Sequence, residues 1–273
     1  MSKLKYDQTG ERYFETGVSD LALFVWDKTQ SKYGKGVAWN GVSAISEAPE
    51  GGEDNYVYAD NIKYLNLKSP EEWKGSITAY SSPKEFDACD GTLQILSGIT
   101  FGQQDRKTFA ICFLSRIGND TEGDKLGKKL TIVYGLTATP SSRDHNTVND
   151  SPEAQELSWD INSLPVVVDN YNAFSTIVIK SNECSTENWT KIINTLYGTD
   201  GSAAVYKKTT DTAVVEGKDY YTRSGEEGSY VYTKVVSPST SEIDSYYELV
   251  SPATEESDPT LMMPEDFLKM AQG

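Results

Sequence analysis

Across 273 residues, 25 Lys and Arg against 41 Asp and Glu leave a net charge of −16. Such an acid excess excludes a general nucleic-acid binder, whose affinity for phosphate comes from clustered Lys and Arg. The 5 Trp, 17 Tyr and 8 Phe are too many for a disordered chain. No apolar run approaches the ~18 residues of a membrane span.

The length suits one large all-β domain or two smaller ones. The amino-terminal stretch MSKLKYDQTGERYF lacks the apolar centre of a signal peptide, so synthesis in a cytoplasm is expected. Residues 21–26 (LALFVW) are apolar on both faces and predict a central strand. Residues 47–61 (EAPEGGEDNYVYADN) show no periodicity and read as a long polar loop. Its acids Glu47, Glu50, Glu53, Asp54 and Asp60, with Tyr56 and Tyr58 as aromatic anchors, are the candidates for contacts between subunits. Shorter strands are expected at 62–67 and 76–80. A helix is expected over 82–90, with Ser82 as N-cap, Pro83 in the first turn, Glu85 completing a capping box and Gly91 as the stop.

Residues 109–114 (FAICFL) predict a second central strand. Asp120, Glu122 and Asp124 alternate like the start of a calcium loop. However, Lys125 stands where glycine is needed and Thr131 where the bidentate acid is needed, so a surface turn is expected. Period-2 alternation over 130–138 puts Leu130, Ile132, Tyr134, Leu136 and Ala138 on one face. Residues 139–155 form a second long polar loop. It holds Arg143-Asp144-His145, whose adjacency does not set the Asp behind the imidazole as a catalytic triad requires. Strands follow at 156–161, with Leu157, Trp159 and Ile161 inward, and at 174–180. Trp189, Ile192, Ile193 and Leu196 form one stripe on a helix over 185–197, which predicts flat packing on a sheet; Gly198 ends it. A short helix is expected from Pro264.

Beyond residue 200 the composition changes. Residues 201–252 hold seven tyrosines and no tryptophan. Val205, Tyr206, Lys208, Glu216, Tyr220 and Tyr221 recur 26 residues later as Val231, Tyr232, Lys234, Glu242, Tyr246 and Tyr247. The repeat predicts two similar hairpins. The expected organisation is a core domain over 1–200, an inserted Tyr-rich β module over 201–252, and a tail over 253–273 returning to the core.

Chemistry-bearing motifs are sparse. A single His145 and the dispersed Cys89, Cys112 and Cys184 make no metal set, and each cysteine is expected to act as a small buried hydrophobe. Three N-x-S/T sequons begin at Asn119, Asn149 and Asn188, and without secretion they carry no function. No catalytic residue, cofactor or metal is expected. Two rivals stand beside a structural role: a host-surface-binding module using the tyrosines, and an acid-pair hydrolase, for which 41 acids give no selective signal.

The segment YGKGVAWNGVSAISEAPEGGEDNYVYADN (33–61) resembles the start of major tail proteins of long-tailed, non-contractile phages of Gram-positive hosts. WKGSITAYSSPKEFDACDG, FAICFLSRIGND and GLTATPSSRDHNTVNDSPEAQELSWDI follow in a similar order, so the likeness covers roughly 20–200 and the carboxy-terminal tail. The resemblance implies a mainly β fold, an antiparallel β-sandwich or barrel-like tail tube fold with one flanking amphipathic helix. It also implies a virion structural protein that self-assembles into stacked rings, commonly hexameric, around a lumen for DNA ejection. Its partners would be copies of itself, a tape-measure protein and other tail proteins, and double-stranded DNA passing without specific binding. No membrane is involved, and the expected location is the virion tail. An acidic lumen would repel phosphate and let DNA slide.

Overall fold

A computed structural model of the chain describes residues 4–52, 54–69, 71–140, 143, 145, 147, 154–226, 229–253 and 255–272. These form two compact units, Met1–Tyr197 with Asp258–Gly273, and Gly198–Ser257. The fold is mainly β: one large antiparallel sheet, several small sheets and few short helices.

The first unit runs β1 (Tyr13–Asp27), β2 (Lys32–Tyr33), β3 (Val37–Ala38), β4 (Val42–Glu47), β5 (Glu50–Gly51), β6 (Asp54–Ala59), β7 (Ile62–Lys68), β8 (Glu71–Glu72) and β9 (Lys74–Ala79). After a 3-10 turn (Lys84–Phe86) and α1 (Asp87–Asp90) come β10 (Leu93–Leu96), β11 (Ile99–Phe101), β12 (Phe109–Asn119), β13 (Gly123–Pro140), β14 (Leu157–Ser163), β15 (Thr176–Lys180) and α2 (Thr186–Tyr197). The second unit holds β16 (Val205–Lys208), β17 (Tyr221–Ser224), β18 (Val231–Lys234) and β19 (Tyr246–Ser251). The chain then closes the first unit with α3 (Pro264–Gln272).

The large sheet is ordered β2-β1-β12-β13-β14-β9-β4, with β15 also on β13 and β3 also on β1. Its middle strands bury both faces, as the continuous apolar runs at 21–26 and 109–114 predict. On one face Leu23, Phe109, Ile111 and Val133 pack with Trp39, Phe86, Cys89 and Trp159. Ile77, Trp159 and Ile161 from β9 and β14 join the same cluster, so the sheet curls around it. Among the described residues β4 pairs only with β9, and no ladder closes the sheet into a barrel.

On the opposite face Phe24, Ala110, Cys112, Leu130 and Ile132 meet the helices. In α2, Ile192 and Leu196 are buried and Trp189 and Ile193 partly so, the stripe read from the sequence. Ser185 Oγ accepts from the Asn188 amide at 3.3 Å and begins the helix. α3 covers this face too, through Phe267 and Met270, so two helices flank the sheet where one was expected. The buried Tyr134 hydroxyl donates to the Met262 carbonyl at 2.7 Å and ties the tail to the sheet.

Three local readings are corrected. Leu136 and Ala138 do not share a face with Leu130, Ile132 and Tyr134; they lie in the cluster with Val133 and Trp159. Between the pairs Ile111–Val133 and Phe109–Leu136, two steps of β12 face three of β13, a bulge that inverts the alternation at Gly135 (φ +66°). The helix predicted over 82–90 begins later, as a 3-10 turn capped at Pro83 without a side-chain bond, so Ser82 and Glu85 form no capping box. Gly91 does end it, in the left-handed region (φ +78°). Cys89 and Cys112 are buried as expected, but Cys184 is only half-buried.

In the second unit the sheet order is β16-β19-β17-β18, which corrects the reading of two sequential hairpins. The repeats interleave, each giving one edge strand and one inner strand. Tyr221 pairs with its own counterpart Tyr247. Lys208 opposite Tyr247 matches Lys234 opposite Tyr221, and Tyr206 opposite Leu249 matches Tyr232 opposite Arg223. The register therefore obeys a local two-fold relation. One face of this sheet packs Tyr220, Ile243 and Tyr246.

Beside that core, the Lys218 ammonium sits 2.8 Å from Asp211 and 3.0 Å from Glu248. Its bond, then that of the Tyr220 phenol, holds the Asp211 carboxyl below the usual range. Glu248 is lowered by the Thr209 hydroxyl first and Lys218 second. A carboxyl depressed in the folded state contributes stability that is present above its unfolded pKa and is lost as pH falls through the folded value. Calorimetry should therefore show the melting of this unit unchanged down to about pH 4.5 and falling below about pH 4. Replacing Lys218 by Met should flatten that fall; a midpoint unmoved between those limits and about pH 2.5 would contradict it.

Candidate functional site

The segment 47–61, expected as a loop, is largely strand. Glu47 ends β4 and accepts from the Trp73 indole at 3.3 Å. Glu50 lies in β5, opposite Glu72, and pairs with Lys74. Glu53 lies outside the described residues. From Asp54 the chain enters a two-stranded hairpin with β7, turning at Asp60 (φ +50°) and Asn61 (φ +61°). Two consecutive left-handed residues are what a two-residue hairpin turn needs, and Asp and Asn tolerate them. The signal was legible in YVYA-DN-IKYLNL.

The ladder divides the hairpin into unlike faces. Asp54, Tyr56, Asn66 and Lys68 share one. There Asp54 accepts from the Tyr56 hydroxyl at 2.8 Å and from the Asn66 amide at 2.9 Å, and these bonds, Asn66 first, hold its carboxyl low. The Lys63 ammonium lies 2.9 Å from the Tyr56 ring centroid. Tyr58 is solvent-exposed. Val57 pairs with Leu65 and Asn55 with Leu67, which places Val57, Leu65 and Leu67 together on the other face. Their exposures are 38%, 48% and 52%, and Ile62 at the tip reaches 60%. Of the residues chosen from sequence, Asp54 and Tyr56 sit on the self-bonded polar face, while Glu47 and Glu50 lie on other strands and Asp60 at the turn. The aliphatic face is not among them, because the sequence marks 62–67 only as a short strand and does not say what covers its apolar side.

A second hairpin repeats the feature. Among the described residues β10 and β11 pair only with each other, and Leu93, Ile95, Leu96, Ile99 and Phe101 are all exposed. An isolated two-stranded hairpin is marginal in water, and contiguous exposed apolar side chains mark association surfaces.

Elsewhere the chemistry is quiet. Burial pushes the Cys89 and Cys112 thiols up to about 12, which keeps them protonated and unreactive near neutrality. Asn119 is buried; it accepts from the Thr121 and Glu122 amides and donates to the Gly10 carbonyl, so the acidic segment is a tied hairpin turn. Arg143 donates to Asp90 at 3.1 Å, whose other oxygen accepts from the Trp159 indole; Asp144 lies outside the described residues, as does most of the 139–155 segment. A cleft of about 350 Å³ beside β1 and β3 offers one carboxylate, Asp20, and the Tyr197 phenol, which donates to the Asp20 carbonyl. Among the described residues no group of three or more His, Cys, Asp or Glu could hold a metal ion. No helix among them is long and apolar enough to cross a membrane. No protein-family model matches the chain, and no curated protein matches it at a significant level.

Proposed function

We propose that the chain is a tail tube subunit of a long-tailed, non-contractile phage, self-assembling into stacked rings around a channel for DNA. The observation that carries the reading is the pair of hairpins whose aliphatic side chains stay exposed and join no buried cluster among the described residues. Each is already about half-buried, so covering the rest contributes about 1 kcal/mol per side chain, and several per hairpin favour assembly with copies of the same surface. The curled antiparallel sheet with α2 and α3 on one face suits the sandwich-like fold that the resemblance implies. A net charge of −16 suits a lumen that DNA must cross without sticking.

On this reading the rings are hexameric, and the further partners are a tape-measure protein in the lumen and other tail proteins at the ends. Negative-stain microscopy of the purified protein should show rings or hollow tubes. A single monomeric species by sedimentation at high concentration, with no rings on the grid, would refute the proposal.

A further inference from the structure

The second unit presents a face that its own core does not use. Strand alternation puts Tyr206, Lys208, Tyr221, Arg223, Tyr232, Lys234, Tyr247 and Leu249 opposite the buried Tyr220–Tyr246 face. These positions carry three cations and no acid. The unit as a whole holds 11 acids and 5 bases, a net −6, so the sign of charge is reversed on this face. Lys234 pairs with Asp219 at 2.6 Å. The Arg223 guanidinium lies 4.1 Å from the Tyr230 centroid and 4.9 Å from that of Tyr247, which fixes its plane while its edge stays exposed.

The tyrosines here differ from those of the opposite face in a telling way. Tyr206 stacks on Tyr232 with centroids 4.0 Å apart, and each meets an inner-strand tyrosine edge-on, Tyr221 and Tyr247. Buried Tyr220 and Tyr246 use their hydroxyls internally: Tyr220 donates to Asp211 and Tyr246 accepts from the Ser239 amide. Tyr206, Tyr221, Tyr232 and Tyr247 are half-buried, and none makes a hydrogen bond through its hydroxyl among the described residues.

We propose that this face binds an anionic glycan. Its ordered phenol hydroxyls can exchange hydrogen bonds with sugar hydroxyls. Arg223 and Lys208 supply charge-assisted donors to the carboxylate, sulfate or phosphate groups of the polymer. Single-stranded nucleic acid fits less well. The tyrosine rings are occupied by one another and by Arg223 rather than open for base stacking, and three cations in a net-acidic unit give little counterweight to one phosphate per nucleotide. The inference does not rest on the tube reading, since it concerns the second unit of a single chain.

The test is titration of the full chain with a panel of uronate, sulfated and phosphorylated oligosaccharides, with neutral dextran oligosaccharides and a dT oligonucleotide alongside, read by calorimetry and ligand-observed NMR. At least one anionic oligosaccharide should bind and weaken with added salt, while dextran should not bind. Arg223→Glu should lower the affinity tenfold or more. Because Arg223 also packs on two rings, Lys208→Glu serves as the second variant: Lys208 is an exposed end-of-strand side chain, and its change should weaken binding while leaving the melting temperature in place. Binding to no member of the panel, equal binding by both variants, or tighter binding of dT than of any glycan would overturn the proposal.

Discussion

A chain carrying Leu65→Asp and Leu67→Asp together is expected to fold normally and to form neither rings nor tubes. Both side chains are about half exposed and belong to no buried cluster, so the folded unit loses little. Surface substitutions of this kind usually stay within about 0.5 kcal/mol. In an assembled ring the same two positions would place carboxylates in an apolar contact without partners, costing several kcal/mol per interface, roughly, from lost burial and desolvation. That is a loss of at least 100-fold in each association constant, on the scale of about 1.4 kcal/mol per tenfold. Because ring closure needs every interface, assembly should fail completely. Tyr58→Ala, on an exposed position outside the aliphatic set, is the contrasting change and should leave rings in place. Rings of ordinary stability from the double variant would show that this hairpin is not an assembly contact, whatever else the protein does.

The large-scale fold was legible because its signals are strong and local. FAICFL and LALFVW bury both faces, and such runs have few alternatives in a β chain. Trp189, Ile192, Ile193 and Leu196 declare a helix packed on a sheet for the same reason. The errors occurred where one residue changes the geometry of its neighbours. Pattern counting carried Leu136 and Ala138 onto the face of Leu130, since a bulge costs one residue and leaves composition untouched.

Acidity misled in another way. The run of acids in 47–61 reads as loop, yet Tyr56, Val57 and Tyr58 with an Asp-Asn turn are strand chemistry, and Asp54 falls on the face of Tyr56 and Asn66. The tyrosine repeat was visible as sequence, but its pairing was not. Only long-range register shows that the copies interleave, with Tyr221 opposite Tyr247, instead of standing as two hairpins. The exposure of the aliphatic face of β6 and β7 was not legible for a related reason. Alternation in IKYLNL says that one face is apolar but does not say whether the protein's own core or another molecule covers it.

Gly135→Ala should be the most destabilising single methyl that can be added to the first unit. Gly135 holds φ +66° inside an 18-residue strand, where a side chain costs about 1–2 kcal/mol for the left-handed conformation alone. A Cβ there would also overlap the Leu164 carbonyl oxygen, a backbone atom that no rotamer change can move aside. Relief requires shifting the bond from the Leu164 amide to the Gly135 carbonyl, 2.8 Å, and the bond from the Gly135 amide to the Tyr33 hydroxyl, 3.1 Å. Both anchor the bulge at which β13 exchanges one neighbour for another: residues 129–133 pair with β15 and 136–140 with β14. Flattening the bulge instead would turn Leu136 and Ala138 out of the cluster around Trp159 and lose about 3 kcal/mol or more of burial. Either route predicts a total loss of at least about 3 kcal/mol, visible as a drop of several degrees or more in the melting of this unit. Gly98→Ala, at another positive φ but with open space around its Cβ, should cost only the conformational part. If the two variants melt together, the close approach to Leu164 is not what demands glycine at 135, and the inversion of β13 must be held by its flanking pairs alone.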